Sequence, residues 1–165
     1  MKRKTAIFLS FLLLFVSATA CSQGNQNNSQ NGELENGGLE NGIMYLHIGS
    51  ASEGMRRTLT ATLVDNSSTR ALKQRLAENP ITINMNDYGG FEKVGGLGMS
   101  LPTNNVSITA SPGDIILYQG NQLVIFYGSN SWSYTRLGRI NNITQQELRT
   151  VLGTGNVTVT LSLTQ

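Results

Sequence analysis

Histidine and cysteine are nearly missing from this chain: His47 and Cys21 stand alone in 165 residues. A transition-metal centre draws on several such side chains, so neither a metal nor a cofactor is expected. A serine triad would have to use His47, and no G-x-S-x-G elbow accompanies it. As a lone histidine on the polar side of an alternating segment, His47 reads as a surface or packing residue. The phosphate-cradle pattern is also incomplete, because Gly95-Gly96-Leu97-Gly98 runs into Met99-Ser100 with no P-loop lysine. Charge is sparse as well. The formal +2 depends on Lys2, Arg3 and Lys4; without them it becomes −1, and from Ile43 onward it returns to +2. No basic patch follows, so nucleic acid is not an expected partner. The one long apolar run, Ala6 to Val16, falls short of the roughly 20 residues that span a bilayer.

What is present at the N-terminus has a clear order. A basic head, Lys2-Arg3-Lys4, precedes the apolar run, and Ser17-Ala18-Thr19-Ala20 supplies small residues before Cys21. These are the parts of a secretory signal over residues 1–20. Ala18-Thr19-Ala20-Cys21 resembles a bacterial lipobox, with Ala18 where that motif usually has Leu. The resemblance implies cleavage before Cys21 and a diacylglyceryl, palmitate-type anchor on its thiol. Each buried acyl methylene would then hold the protein by roughly 0.8 kcal/mol. Residues 21–42 continue almost entirely in Asn, Gln, Gly, Ser and Glu. They lack the apolar side chains that offset ordering and read as a flexible tether, with a reach of about 25 Å.

Residues 43–165 make one domain, long enough to hide roughly two-thirds of its unfolded surface. Its centre is GDIILYQGNQLVIFYG, Gly113–Gly128, read as an antiparallel hairpin turning at Gly120-Asn121. Alternation predicts further strands at Met44–Ile48, Thr58–Leu63, Ile81–Asn86 and Val157–Leu163, a short one at Val106–Ile108, and one over Tyr134–Ile140. Trp132 falls in a polar loop before the last of these. A helix is predicted over about Arg70–Glu78, capped by Ser67 or Ser68 and stopped at Asn79-Pro80. Thr144 and Glu147 form a capping box for a second helix, which runs to Leu152 and ends at Gly153. Asp87 to Gly98, with five glycines in twelve places, reads as a mobile rim loop. Many strands and two helices without regular alternation argue for a closed antiparallel sheet with helices at its ends.

Taken together, NMNDYGGFEKV, SLPT, GDIILY, LVIFYG, YTRLGRI and LGTGNVTVT resemble the bacterial cyclophilin-like domain family. The resemblance covers nearly all of 43–163. It implies a mainly β fold, a closed eight-stranded antiparallel barrel with two helices. True cyclophilins are prolyl isomerases whose key arginine lies in the region equivalent to Ile81–Gly98. That region has Met85 and Phe91 here, but no arginine and no Phe-Met-x-Gln. Lys93 lacks the planar fork of a guanidinium, which leaves Arg136 as the candidate to reach the cleft.

The aromatic residues Tyr88, Phe91, Tyr127, Trp132 and Tyr134 are candidates to wall a shallow groove for a planar ligand or peptide. Met85, Glu92 and Arg136 complete the set of expected ligand-binding residues. Arg136 and Arg139, three apart on a strand, are expected to face opposite sides, one of them paired with Glu92 or Asp114. The leading expectation is a lipid-anchored, extracytoplasmic binding module for a small molecule or peptide. A prolyl isomerase or folding factor is the second. An accessory domain for a flavodoxin-like redox partner, implied only by the family resemblance, is the third.

Overall fold

The computed structural model describes residues 42–50 and 56–165. The expected signal segment 1–20, the expected lipidation site Cys21 and nearly all of the expected tether lie outside the described residues. No helix among the described residues is long and apolar enough to cross a membrane.

Among the described residues, nine strands and two helices follow in order: β1 Ile43–Ser50, β2 Arg56–Leu63, α1 Ser67–Glu78, β3 Ile81–Tyr88, β4 Glu92–Gly96, β5 Val106–Ala110, β6 Asp114–Tyr118, β7 Gln122–Phe126, β8 Asn130–Ile140, α2 Gln145–Leu152 and β9 Val157–Ser162. All pairings are antiparallel, in the order β2-β1-β9-β3-β4-β7-β6-β8. A further β2–β8 pairing closes these eight strands into a barrel. The fold is therefore mainly β, an eight-stranded antiparallel barrel with two helices. β5 stands outside the ring and pairs only with the first half of β8.

The alternation of side chains explains the interior. Met44, Leu46 and Ile48 of β1, Ile83 and Met85 of β3, and Val157, Val159 and Leu161 of β9 all point into one core. β6 and β7 do not alternate; after Asp114 and Gln122 at their starts they run in apolar and aromatic residues. Ile115, Leu117, Leu123 and Ile125 join the inner core, whereas Ile116, Val124 and Phe126 join a second cluster outside the barrel wall. A strand covered on both faces reads as a continuous apolar run.

Closure rests on a narrow seam. β2 meets β8 at only Ala61↔Ile140, Thr62↔Arg139 and Leu63↔Gly138. A Cβ at position 138 would lie 2.4 Å from the Thr62 carbonyl oxygen and 3.1 Å from Leu63 Cα. Glycine is what lets the two backbones approach.

Both helices seat leucines one turn apart on the core, Leu72 and Leu76 from α1 and Leu148 and Leu152 from α2. The α2 capping box is as expected. Thr144 Oγ1 accepts from the Glu147 amide, and Glu147 accepts from the Thr144 amide and hydroxyl, which holds its carboxyl below the usual range. The α1 cap differs from expectation. Asn66, one residue before Ser67, accepts from the Thr69 amide while Thr69 Oγ1 accepts from the Asn66 amide. Asn caps as well as Ser does, and here its amide also donates to the Arg136 carbonyl, tying the helix start to β8.

Three other expectations change. The β6–β7 turn centres on Gln119-Gly120, with φ of 51° and 77°, one residue earlier than Gly120-Asn121. The glycine-rich segment 87–98 is no rim loop. β3 runs to Tyr88, the chain turns at Gly89-Gly90, and β4 is a wall strand between β3 and β7. Glycines at 95 and 96 hide the alternation there, since they have no side chain to display it. β8 begins at Asn130, so Trp132 lies within a strand, paired with Ile108.

Candidate functional site

The outer face of β4, β7 and β6 is built in cross-strand rows, because directly opposed residues share a face. Glu92 opposes Phe126; Val94 opposes Val124, which opposes Ile116; Gln122 opposes Tyr118. The start of β8, carrying β5, completes the wall beside these rows. Tyr134 makes T-shaped pairs with Phe126, at 5.6 Å between ring centroids, and with Tyr118, at 6.1 Å. Such T-shaped pairs add about 0.5–1.5 kcal/mol beyond burial and fix the ring's orientation. Asn130, two alternations earlier, donates to the Tyr134 hydroxyl at 2.8 Å.

The result is an open groove of about 380 Å³ on the outside of the barrel. Tyr88, Glu92, Tyr118, Gln122, Trp132 and Tyr134 supply most of its chemistry, over a floor that includes Val94 and Val124. Tyr88 and Trp132 are 66% and 60% exposed, large aromatic surfaces left uncovered at its rim.

Among the described residues, Glu92 is the only ionisable acid or base other than tyrosine in this lining. It is 7% exposed, and its Oε2 is the one buried side-chain oxygen or nitrogen without a hydrogen-bond partner among the described residues. Burial pushes its carboxyl up to about 7. Tyr134 is raised by burial and then by the field of Glu92, with the Asn130 hydrogen bond opposing. A buried acid with no partner is a costly arrangement, and such groups mark functional sites more often than structural ones.

The groove unites four of the residues expected from sequence, Tyr88, Glu92, Trp132 and Tyr134. The others lie elsewhere. Met85 is fully buried in the inner core. Phe91 stacks on Phe126 at 6.1 Å, behind the groove. Tyr127 faces inward, opposite to Phe126, donates to Asp87 Oδ1 at 3.0 Å and lies beneath Arg149. Arg136 donates to Asp114 Oδ1 instead of reaching a cleft. Tyr118, Gln122 and Asn130 were not expected. Tyr118 and Gln122 sit at the hairpin's end on the face of Val124, a position that the alternation alone would have shown.

A second depression, between β2 and α2, includes Arg57, Leu59, Ile143 and Glu147. Its acid is occupied by the helix cap.

His47 shares a hydrogen bond with Thr58 across β1 and β2 at 3.0 Å, away from the groove.

Known proteins resemble this chain as follows. The model of the Cyclophilin-like family matches residues 54–162. The solution structure of a hypothetical protein from Archaeoglobus fulgidus is similar, at 18% identity and a TM-score of 0.49, over 74% of this chain and 97% of that one. No curated protein matches. With two-thirds of its length matched by one family model, the chain belongs to the cyclophilin-like family.

Proposed function

We propose that the protein is an exported, lipid-anchored binding module that holds a small molecule or short peptide in the outer groove and does no chemistry on it. The observation that carries this reading is the groove itself: exposed Tyr88 and Trp132 flank a buried carboxyl oxygen that has no partner. Aromatic walls with a few fixed polar groups are the usual make-up of a ligand site. Among the described residues no arginine or lysine lines the groove, so none of them brings a guanidinium to stabilise a twisted prolyl amide there. The anchor rests on the signal-like N-terminus and the lone Cys21. About 20 polar residues between anchor and barrel would let the domain range over the bilayer without docking on it.

Trp132 is the only tryptophan, so its fluorescence reports on this groove. A small-molecule and short-peptide screen on the chain purified in a neutral maltoside detergent should shift that emission for at least one compound. The same protein should not accelerate cis–trans exchange of proline peptides. Acceleration that disappears in Arg136→Ala would overturn the reading in favour of an isomerase. Mass spectrometry of the N-terminal peptide should show diacylglyceryl on Cys21, and an unmodified thiol would remove the anchor.

A further inference from the structure

Resting on the groove-binding reading, we propose that the ligand is a small organic ammonium ion, received by the Glu92 carboxylate between the rings of Tyr88, Tyr118, Trp132 and Tyr134. Three independent features meet here. The single formal charge in the lining is negative. Its Oε2 accepts no hydrogen bond from any neighbour, although the sheet around it satisfies every other buried side-chain polar atom among the described residues. The walls are aromatic, and ring faces attract cations, tryptophan most strongly. Tyr118 and Tyr134 are steeply inclined to one another, at 69°, in a T-shaped arrangement. A cation would meet both the negative ring faces and the carboxylate. An anion would meet a like charge. A neutral apolar ligand would fill the space and leave the acid unsatisfied, which specific sites avoid.

The volume, about 380 Å³, lies near the small end of ligand pockets, so the occupant is a small amine and not a folded partner. Gln122 and Asn130 offer side-chain amides at the edge for a polar substituent.

Three probes with one body and three charges test the assignment: benzylammonium, benzyl alcohol and benzoate, titrated at pH 8 against the detergent-purified chain by Trp132 emission and calorimetry. Benzylammonium should bind at least about tenfold more tightly than the alcohol, and benzoate weakest of all. Glu92→Gln should bring the ammonium and the alcohol to within about twofold of each other. Tyr88→Leu, at an exposed position where folding is not at stake, should reduce the preference several-fold. Equal binding of ammonium and alcohol to the native chain would overturn this inference and leave the groove-binding reading standing. Failure of all three probes to bind would also overturn this inference, and the groove-binding reading would fall only if the wider screen of small molecules and peptides failed as well. Retention of the full preference in Glu92→Gln, with the variant shown to be folded by its thermal transition, would also overturn the inference.

Discussion

Arg136 and Arg139 donate to the same atom, Asp114 Oδ1, at 3.0 and 2.9 Å. Residues three apart on a regular strand face opposite sides. Here the register slips: Ile115 opposes Gly138 but Ile116 opposes Arg136, leaving Leu137 as the extra residue of a bulge. The bulge turns both arginines to one side of the sheet. Asp114 is 1% exposed and also accepts from the Ser111 amide at 2.9 Å. Replacement of Asp114 by Asn would leave two guanidiniums without their counter-charge. The expected loss is about 2 kcal/mol in urea unfolding, with ligand affinity of the groove unchanged. A weakened groove in that variant would place Arg136 in binding after all.

Glu92→Gln should make the protein more stable, and only above acid pH. The folded carboxyl sits near 7 against an ordinary 4.5, so the native state holds its proton longer than the unfolded chain does. Native stability is therefore lost as pH rises from about 4.5 to about 7 and changes little from this group beyond that. A shift of that size corresponds to about 3 kcal/mol. Thermal melts should show the variant well above the native chain at pH 8 and level with it at pH 4. Equal melting temperatures at pH 8 would show that Glu92 is ionised without strain. The native residue thus lowers stability at neutral pH, which is the usual trade at binding sites.

The buried Lys93–Asp87 pair should respond in the opposite sense. Lys93 is fully buried; its Nζ lies 2.7 Å from Asp87 Oδ1 and donates to the Gly155 carbonyl. Burial pushes the Asp87 carboxyl up, but hydrogen bonds from Lys93, the Gly155 amide and Tyr127, with the Lys93 charge, bring it below its usual 3.8. Its stabilisation is present above about pH 4 and lost as pH falls through the folded value. Asp87→Asn would strand a buried ammonium and should cost about 3 kcal/mol, the low end for a broken buried pair because Asp87 is partly exposed. Lys93→Met should be far milder in the same denaturant titration, and a reversed ranking would refute this account.

Gly138→Ala should damage the barrel at its seam. The added methyl would meet backbone on β2, which has no rotamer to yield. Overpacking of this kind costs about 1–3 kcal/mol or more. Hydrogen exchange should localise the loosening to the β2–β8 pairing; uniform loosening would mean that the seam is not the weak point.

Much of this fold was legible in the chain. Clean alternation at Met44–Ile48 and Val157–Leu161 gave the wall strands, and Thr144 with Glu147 gave the second helix. The failures have physical causes. β4 presents Lys93, Gly95 and Gly96, residues that seldom mark a strand, so its place in the wall came only from pairing with β3 and β7. The early part of β8 is polar because one face is open to solvent, and a polar strand looks like a loop. Of the site, Tyr88, Glu92, Trp132 and Tyr134 were visible as candidates. Sequence could not separate them from Met85 and Tyr127, because inside and outside differ by one residue of register.

The barrel is a closed ring, but one bank of the groove is not part of it. β5 and the first half of β8 hang from the ring as a two-stranded tongue, bonded to each other and anchored where β8 turns into the wall. Insertions before β5, or between β7 and β8, would reshape that bank without breaking any hydrogen bond of the cylinder. That bank and the ring are thereby distinct pieces of chain, and one can change in length while the other keeps its pairing.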